Sequence, residues 1–161
     1  MAVEQAVEKK VEVWSMWEPE AGLISARLAG HVHVEDIMRW EAALQESLAQ
    51  VPASSGFKLL IDLSGYELHD MAAHKMMRGI VPQLLAAHGM RPAVLDLFPE
   101  VIMPVTQTTG KICLAYANVH HDVDKMTEYE RTLGRANQRF FTDASVARQW
   151  ILALDNTVLN A

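Results

Sequence analysis

The 161-residue chain is short of the features that mark several functional classes. It has one cysteine, Cys113, so no internal disulfide can form, and that usage suits a reducing compartment. Basic residues are few: 14 Lys and Arg stand against 20 Asp and Glu, a formal charge of −6. With no cationic stretch to release counterions, the composition argues against nonspecific nucleic-acid binding and against docking on an anionic membrane surface. No apolar run approaches the roughly 20 residues that span a bilayer. The opening residues Met1 to Lys10 carry acids where a signal peptide needs bases and lack a continuous apolar stretch. The eight glycines are scattered and form no phosphate-cradling loop, and Ser64 has no Gly-x-Ser-x-Gly context. The expectation is a soluble cytoplasmic protein with no nucleic-acid partner, no membrane span and no cofactor.

What the chain does have is core material. Half of its residues are hydrophobic and its mean hydropathy is +0.04, enough for one domain over residues 1–161, with about 1–9 and 156–161 expected to be loose. Residues 11–17 are rich in β-favouring types and read as a strand. Glu18-Pro19-Glu20-Ala21-Gly22 supplies a hairpin turn, and residues 23–29 form a second, antiparallel strand ended by Gly30. The period then becomes helical: Ile37, Trp40, Leu44, Leu48 and Val51 recur at spacings of three and four, with Glu35 and Asp36 in the first turn. His33 falls at the cap, although histidine is not a preferred cap type.

After a loop at 51–56, Phe57 to Leu63 is almost continuously apolar, which suits a strand covered on both faces. A turn through Ser64-Gly65-Tyr66 leads to a helix opening near His69-Asp70. Pro82 interrupts its apolar stripe, so a kink or two abutting helices is expected there. Residues 90–110 combine Pro92, Pro99 and Pro104 with Leu95, Phe98 and Ile102. Such a segment cannot be a central strand, and it reads as an irregular arm that buries itself against a pocket or a second subunit. Residues 111–119 form another buried strand. A helix capped by Asp122 or Asp124 follows, then a short strand at 138–141 and a last helix capped by Thr142. The order predicts an α/β fold: a mixed, mostly parallel sheet with about four helices, its first two strands an antiparallel hairpin.

That order, together with the stretch Leu60-Ile61-Asp62-Leu63-Ser64-Gly65-Tyr66-Glu67-Leu68-His69-Asp70-Met71-Ala72-Ala73, resembles the STAS or SpoIIAA-like fold. Anti-sigma-factor antagonists of that family have a comparable strand ending in Asp-Leu-Ser-Gly and an Asp opening the next helix. Phe140-Phe141-Thr142-Asp143, leading to Ala147 and Trp150-Ile151, resembles the closing strand and helix of stand-alone bacterial SpoIIAA-like proteins. The chain departs from the antagonists at one position that matters. Their helix start presents a phosphorylatable Ser or Thr after the Asp, whereas Asp70 is followed by Met71 and Ala72, which have no hydroxyl. The resemblance therefore implies the fold without a kinase-driven switch, and the fold is similar to lipid-binding CRAL-TRIO domains.

Seven histidines invite a metal reading. Asp70 and His74 share a helix face, and His120-His121 lie at a strand end, but no spacing matches a metal motif, so surface and capping roles are expected and no metal is assigned. Cys113, between Ile112 and Leu114, reads as a packed core thiol. Two functions are left. The first is a non-enzymatic regulatory or protein-interaction module, most simply a homodimer, working through the turn and helix start at Ser64, Tyr66, His69, Asp70 and Met71. The second is a carrier or sensor of a small apolar, lipid-like ligand. Its pocket would lie between the sheet and the methionine-rich helix, resting on Met71, Met76 and Met77, with the proline-rich arm and its Phe98 and Met103 as lid, and His74 counted with the candidate partner or ligand surface.

Overall fold

The computed structural model describes residues 9–155; the tails at 1–8 and 156–161 lie outside the described residues. Strand β1 (Glu12–Glu18) pairs antiparallel with β2 (Leu23–Val32), from Glu12 opposite Ala29 to Glu18 opposite Leu23. Helix α1 (Val34–Gln50) crosses to β3 (Gly56–Asp62), parallel to β2. A three-residue strand β4 (Tyr66–Leu68) and helix α2 (Met71–Ala87) follow, then the arm, which holds one 3-10 turn at Ala93–Leu97. Strand β5 (Ile112–Val119), α3 (Val123–Leu133), β6 (Gln138–Phe141) and α4 (Ala144–Ala153) are the remaining elements of the described residues. The sheet order is β1-β2-β3-β5-β6, with β4 paired to the far end of β2. All pairs are parallel except β1 with β2, so the fold is α/β with a mixed sheet of six strands and four helices.

Alternation along the strands splits the core. Ile24, Ala26, Leu28, Leu59 and Ile61 face α1 and α2 and form the larger cluster, with Trp40, Leu44 and Leu85 fully or nearly fully buried in it. Leu23, Leu60, Ala115, Ala117 and Val119 point the other way, to Ala147 and Ile151 of α4. Beneath α3 lie Met126, Leu133 and Phe140, joined by Ala93 of the arm. Among the described residues no helix is long and apolar enough to cross a membrane.

Several boundaries differ from the expectation, each for a local reason. Gly30 does not end β2. It takes φ +88°, and a side chain there would meet the carbonyl oxygen of Lys10 at 2.3 Å, so glycine lets the strand bend under the incoming chain and continue. Lys9, expected loose, is held there: its carbonyl accepts from the His31 N–H at 3.2 Å. The turn after β3 contains β4, whose three residues are too few for a pattern. Of the two outcomes expected at Pro82, two abutting helices are not formed: Met71–Ala87 is one helix with Pro82 inside it. Asp143, not Thr142, caps α4, its carboxylate accepting from the N–H groups of Ser145 and Val146. His33 does stand at the start of α1, and the missing side-chain cap is offset by Asp36, whose carboxylate accepts from the His33 N–H at 2.9 Å.

Candidate functional site

Helix α1 packs on α2, but α2 and α3 stand apart, and the arm bridges the gap between them. Under that bridge is a cavity of about 340 Å³. Helix α2 supplies His74, Met77, Arg78, Val81, Pro82 and Leu85, whose three- and four-residue spacings put them on one face. The sheet provides Tyr116, Asn118, Gln138 and Phe140 as the floor, and Tyr66 and Leu68 of β4 form one end. Pro92, Ala93, Val94 and Phe98 of the arm are the roof, while Lys125 and Tyr129 of α3 close the remaining side. Such a volume is at the low end of small-molecule sites, which run from roughly 300 to 1,000 Å³.

The roof is anchored by one buried side chain. The Gln138 carboxamide accepts from the Ala93 N–H at 2.7 Å and donates to the Arg91 carbonyl at 2.8 Å, gripping the arm at two points. Asp96 adds a third anchor, taking hydrogen bonds from Arg91 at 2.6 Å and from Arg135. On α2, Pro82 has no N–H, so the Arg78 carbonyl lacks its usual helical donor. On the floor, Asn118 Nδ2 donates to the Tyr116 hydroxyl at 2.6 Å, and burial raises the Tyr116 pKa above the usual phenol range. The lining contains no carboxylate. Arg78 and Lys125 are its permanent cations, and neither has an acidic partner among the described residues.

Of the residues singled out from the sequence, Tyr66, His74, Met77 and Phe98 reach this cavity. Met71, Met103, His69, Asp70 and Ser64 do not line it. Met71 is 66% exposed at the start of α2. Asp70 caps that helix, its Oδ1 accepting from the Ala73 N–H at 2.9 Å. Ser64 belongs to the turn: Asp62 Oδ1 accepts from its N–H at 2.9 Å and from its hydroxyl at 2.6 Å, while Asp62 Oδ2 accepts from Arg27 at 2.9 Å. Cys113 is buried, and desolvation pushes its thiol up to about 12, so it is an inert core group. Sequence reasoning missed Arg78, Asn118, Lys125 and Gln138: Arg78 and Lys125 read as ordinary surface cations and stay exposed, while Gln138 is buried by its bonds to the arm.

The paired histidines that follow β5 stay off any cluster with Asp70 and His74 among the described residues. His120 and His121 stack with centroids 4.2 Å apart. His120 Nδ1 accepts from the Asp122 N–H, and His121 Nδ1 from the Gly65 N–H, both at 3.0 Å. Desolvation, then the neighbouring His121 and Lys125, bring the His120 pKa down to about 4. The sign of the pH effect follows. Unfolded, the imidazole binds its proton near 6.5, so stability is fully present above that pH and falls between there and about 4, where the folded form protonates too. In an NMR titration the His120 ring should stay neutral down to about pH 4, and His120→Phe should flatten the decline of the thermal midpoint across that window. A His120 ring that titrates near 6.5 would refute this.

Among the described residues, the three histidines that do come together are His31, His33 and His69, on the far side of β4 from the cavity. No family model, curated protein or solved structure matches the chain.

Proposed function

We propose that the protein is a carrier or sensor of a small, mostly apolar molecule with an anionic end, held in the cavity under the arm. The observation that carries this reading is the lining: apolar walls from α2, β6 and the arm, with two solvent-exposed cations, Arg78 and Lys125 (the latter over the Tyr129 ring), and, among the described residues, no carboxylate in the lining. An apolar body gains from leaving water at ~25 cal/mol per Å², and an acid group beside Arg78 or Lys125 regains the charge-assisted bonds it loses. The cavity, at about 340 Å³, suits a small ligand. A medium-chain fatty acid is the natural probe. The element order and the Asp62-Leu63-Ser64-Gly65 turn support a SpoIIAA-like relationship, and the lone buried Cys113 supports a cytoplasmic setting.

Native mass spectra of gently purified protein should show a bound small mass, and decanoate should raise the thermal midpoint. Met77→Trp, which puts an indole into the cavity, should weaken decanoate binding at least about tenfold at little cost in stability, because the added bulk enters empty space. Unliganded spectra together with no midpoint shift from fatty acids of several lengths would overturn the reading.

A second reading, a regulatory interaction module working as a homodimer, is favoured by one observation. Outside the cavity lining the arm exposes Leu97, Val101, Ile102 and Val105, with Ile102 91% exposed. A row of that kind marks an association surface more often than a solvated one. Light scattering at micromolar concentration is its test; a strictly monomeric mass, unchanged by Ile102→Asp, rejects it.

A further inference from the structure

The parallel pairing of β2 with β4 sets Gly30 beside Tyr66, His31 beside Glu67 and Val32 beside Leu68. The His69 N–H donates to the Val32 carbonyl at 2.8 Å, which carries the register one step further and brings His69 to His33. Alternate residues of paired strands share a face, so His31, Glu67, His33 and His69 all emerge on one side. There His31 Nε2 and His69 Nδ1 are 2.9 Å apart, and the His33 and His69 rings stack with centroids 4.1 Å apart. One nitrogen of each ring lies within 4.8 Å of the others.

We propose that His31, His33 and His69 form a site for a late first-row divalent cation, with Zn²⁺ the representative ion. Two carboxylates stand behind the imidazoles: Glu67 Oε2 is 4.0 Å from His31 Nδ1, and Asp36 Oδ2 is 3.7 Å from His33 Nδ1. Both separations exceed a hydrogen bond, so each carboxylate would have to close in on Nδ1 to orient its ring, leaving Nε2 of His31 and of His33 for the ion. His69 contributes Nδ1. Tetrahedral Zn²⁺ with Zn–N bonds of about 2.0–2.1 Å sets its nitrogens about 3.4 Å apart. Relative to that, the His31–His69 pair opens by about half an ångström, and His33 rotates out of its stack to close the third side. Three neutral nitrogen donors favour Zn²⁺, Ni²⁺ or Cu²⁺ over Mg²⁺ and Ca²⁺, which want oxygen. His69 is exposed, so the fourth coordination position faces solvent and takes water.

The test uses the full-length chain without a polyhistidine tag, stripped with chelator. Calorimetry with ZnCl₂ should give one ion per chain with Kd below about 10 μM, and the ion should raise the thermal midpoint by mass action. CoCl₂ should give the visible absorption of low-coordinate Co²⁺. His31→Ala and His69→Gln should each weaken binding at least about tenfold, since losing even a group that only hydrogen-bonds to a metal ligand costs about 10–100-fold. His121→Ala, which removes a histidine from the other pair, should leave binding unchanged. Because the His69 side chain is exposed, His69→Gln should keep the metal-free melting midpoint, so its loss of binding is separable from unfolding. Absence of saturable binding at about 100 μM Zn²⁺, or binding that survives the His31→Ala/His69→Gln double variant, would show that the imidazoles merely hydrogen-bond to one another.

Discussion

Replacing Trp40 with alanine is expected to cost about 3–5 kcal/mol in denaturant unfolding, while replacing it with phenylalanine costs no more than about 1.5 kcal/mol. Trp40 sits mid-way along α1 with no exposed surface, in the cluster shared by α1, α2 and the sheet. Truncation to a methyl group leaves a void that close-packed neighbours cannot fill, and the transfer and cavity costs add. The phenylalanine variant separates packing from polarity. The indole Nε1 is buried and has no hydrogen-bond partner among the described residues. A buried donor left unbonded costs about 1–3 kcal/mol, so removing it offsets much of the smaller ring's lost burial. Equal losses for the two variants would mean that the indole N–H is bonded in solution.

Lys58→Ala is expected to cost about 3–5 kcal/mol, and Lys58→Met about 2–3 kcal/mol. Lys58 is only 4% exposed, in the middle of an otherwise apolar β3. Its ammonium crosses to α4 and donates to the Ile151 carbonyl at 2.8 Å and the Leu154 carbonyl at 2.9 Å, at the negative end of that helix. Desolvation lowers its pKa, and Asp155 opposes that shift. Alanine loses both bonds and opens a hole; methionine fills the volume but leaves the same carbonyls unbonded. Hydrogen exchange localises the effect, since in either variant the amides of α4 should exchange faster than those of α1. Uniform protection across both helices would refute the capping role. A related contact holds α1, where Lys111 Nζ donates to the Leu48 carbonyl at 2.7 Å.

The two residues also show what the chain disclosed and what it hid. Trp40 lies on a stripe with Ile37, Leu44 and Leu48, and helical period alone put it in the core. Alternating strands and helices gave the sheet and its four helices because each element must bury a face, and pattern records which. Lys58 was invisible, since its partners are carbonyls 93 and 96 positions away. The cavity was half legible. Met77 and Phe98 looked like its walls, but Gln138, the clamp on the arm, becomes special only when residues 91 and 93 come within its reach. The histidine trio was hidden by the same kind of distance: β4 is three residues long, and its pairing with β2 depends on the bend at Gly30.

That short strand has a thermodynamic consequence. Tyr66 and Leu68 turn to the cavity, while Glu67 turns to His31 on the opposite face, where His69 follows. Three residues are too few to absorb a displacement within themselves, so a shift of β4 on one side moves atoms on the other. An occupant pressing on Tyr66 would alter a 2.9 Å nitrogen–nitrogen separation, and a cation drawing His69 inward would alter the end wall of the cavity. Linkage makes such an effect reciprocal: whatever factor an ion imposes on affinity for the organic ligand, the ligand imposes on affinity for the ion. Measuring each constant with and without the other partner closes the cycle, and a closed cycle with a coupling factor different from one would make β4 a two-sided reporter.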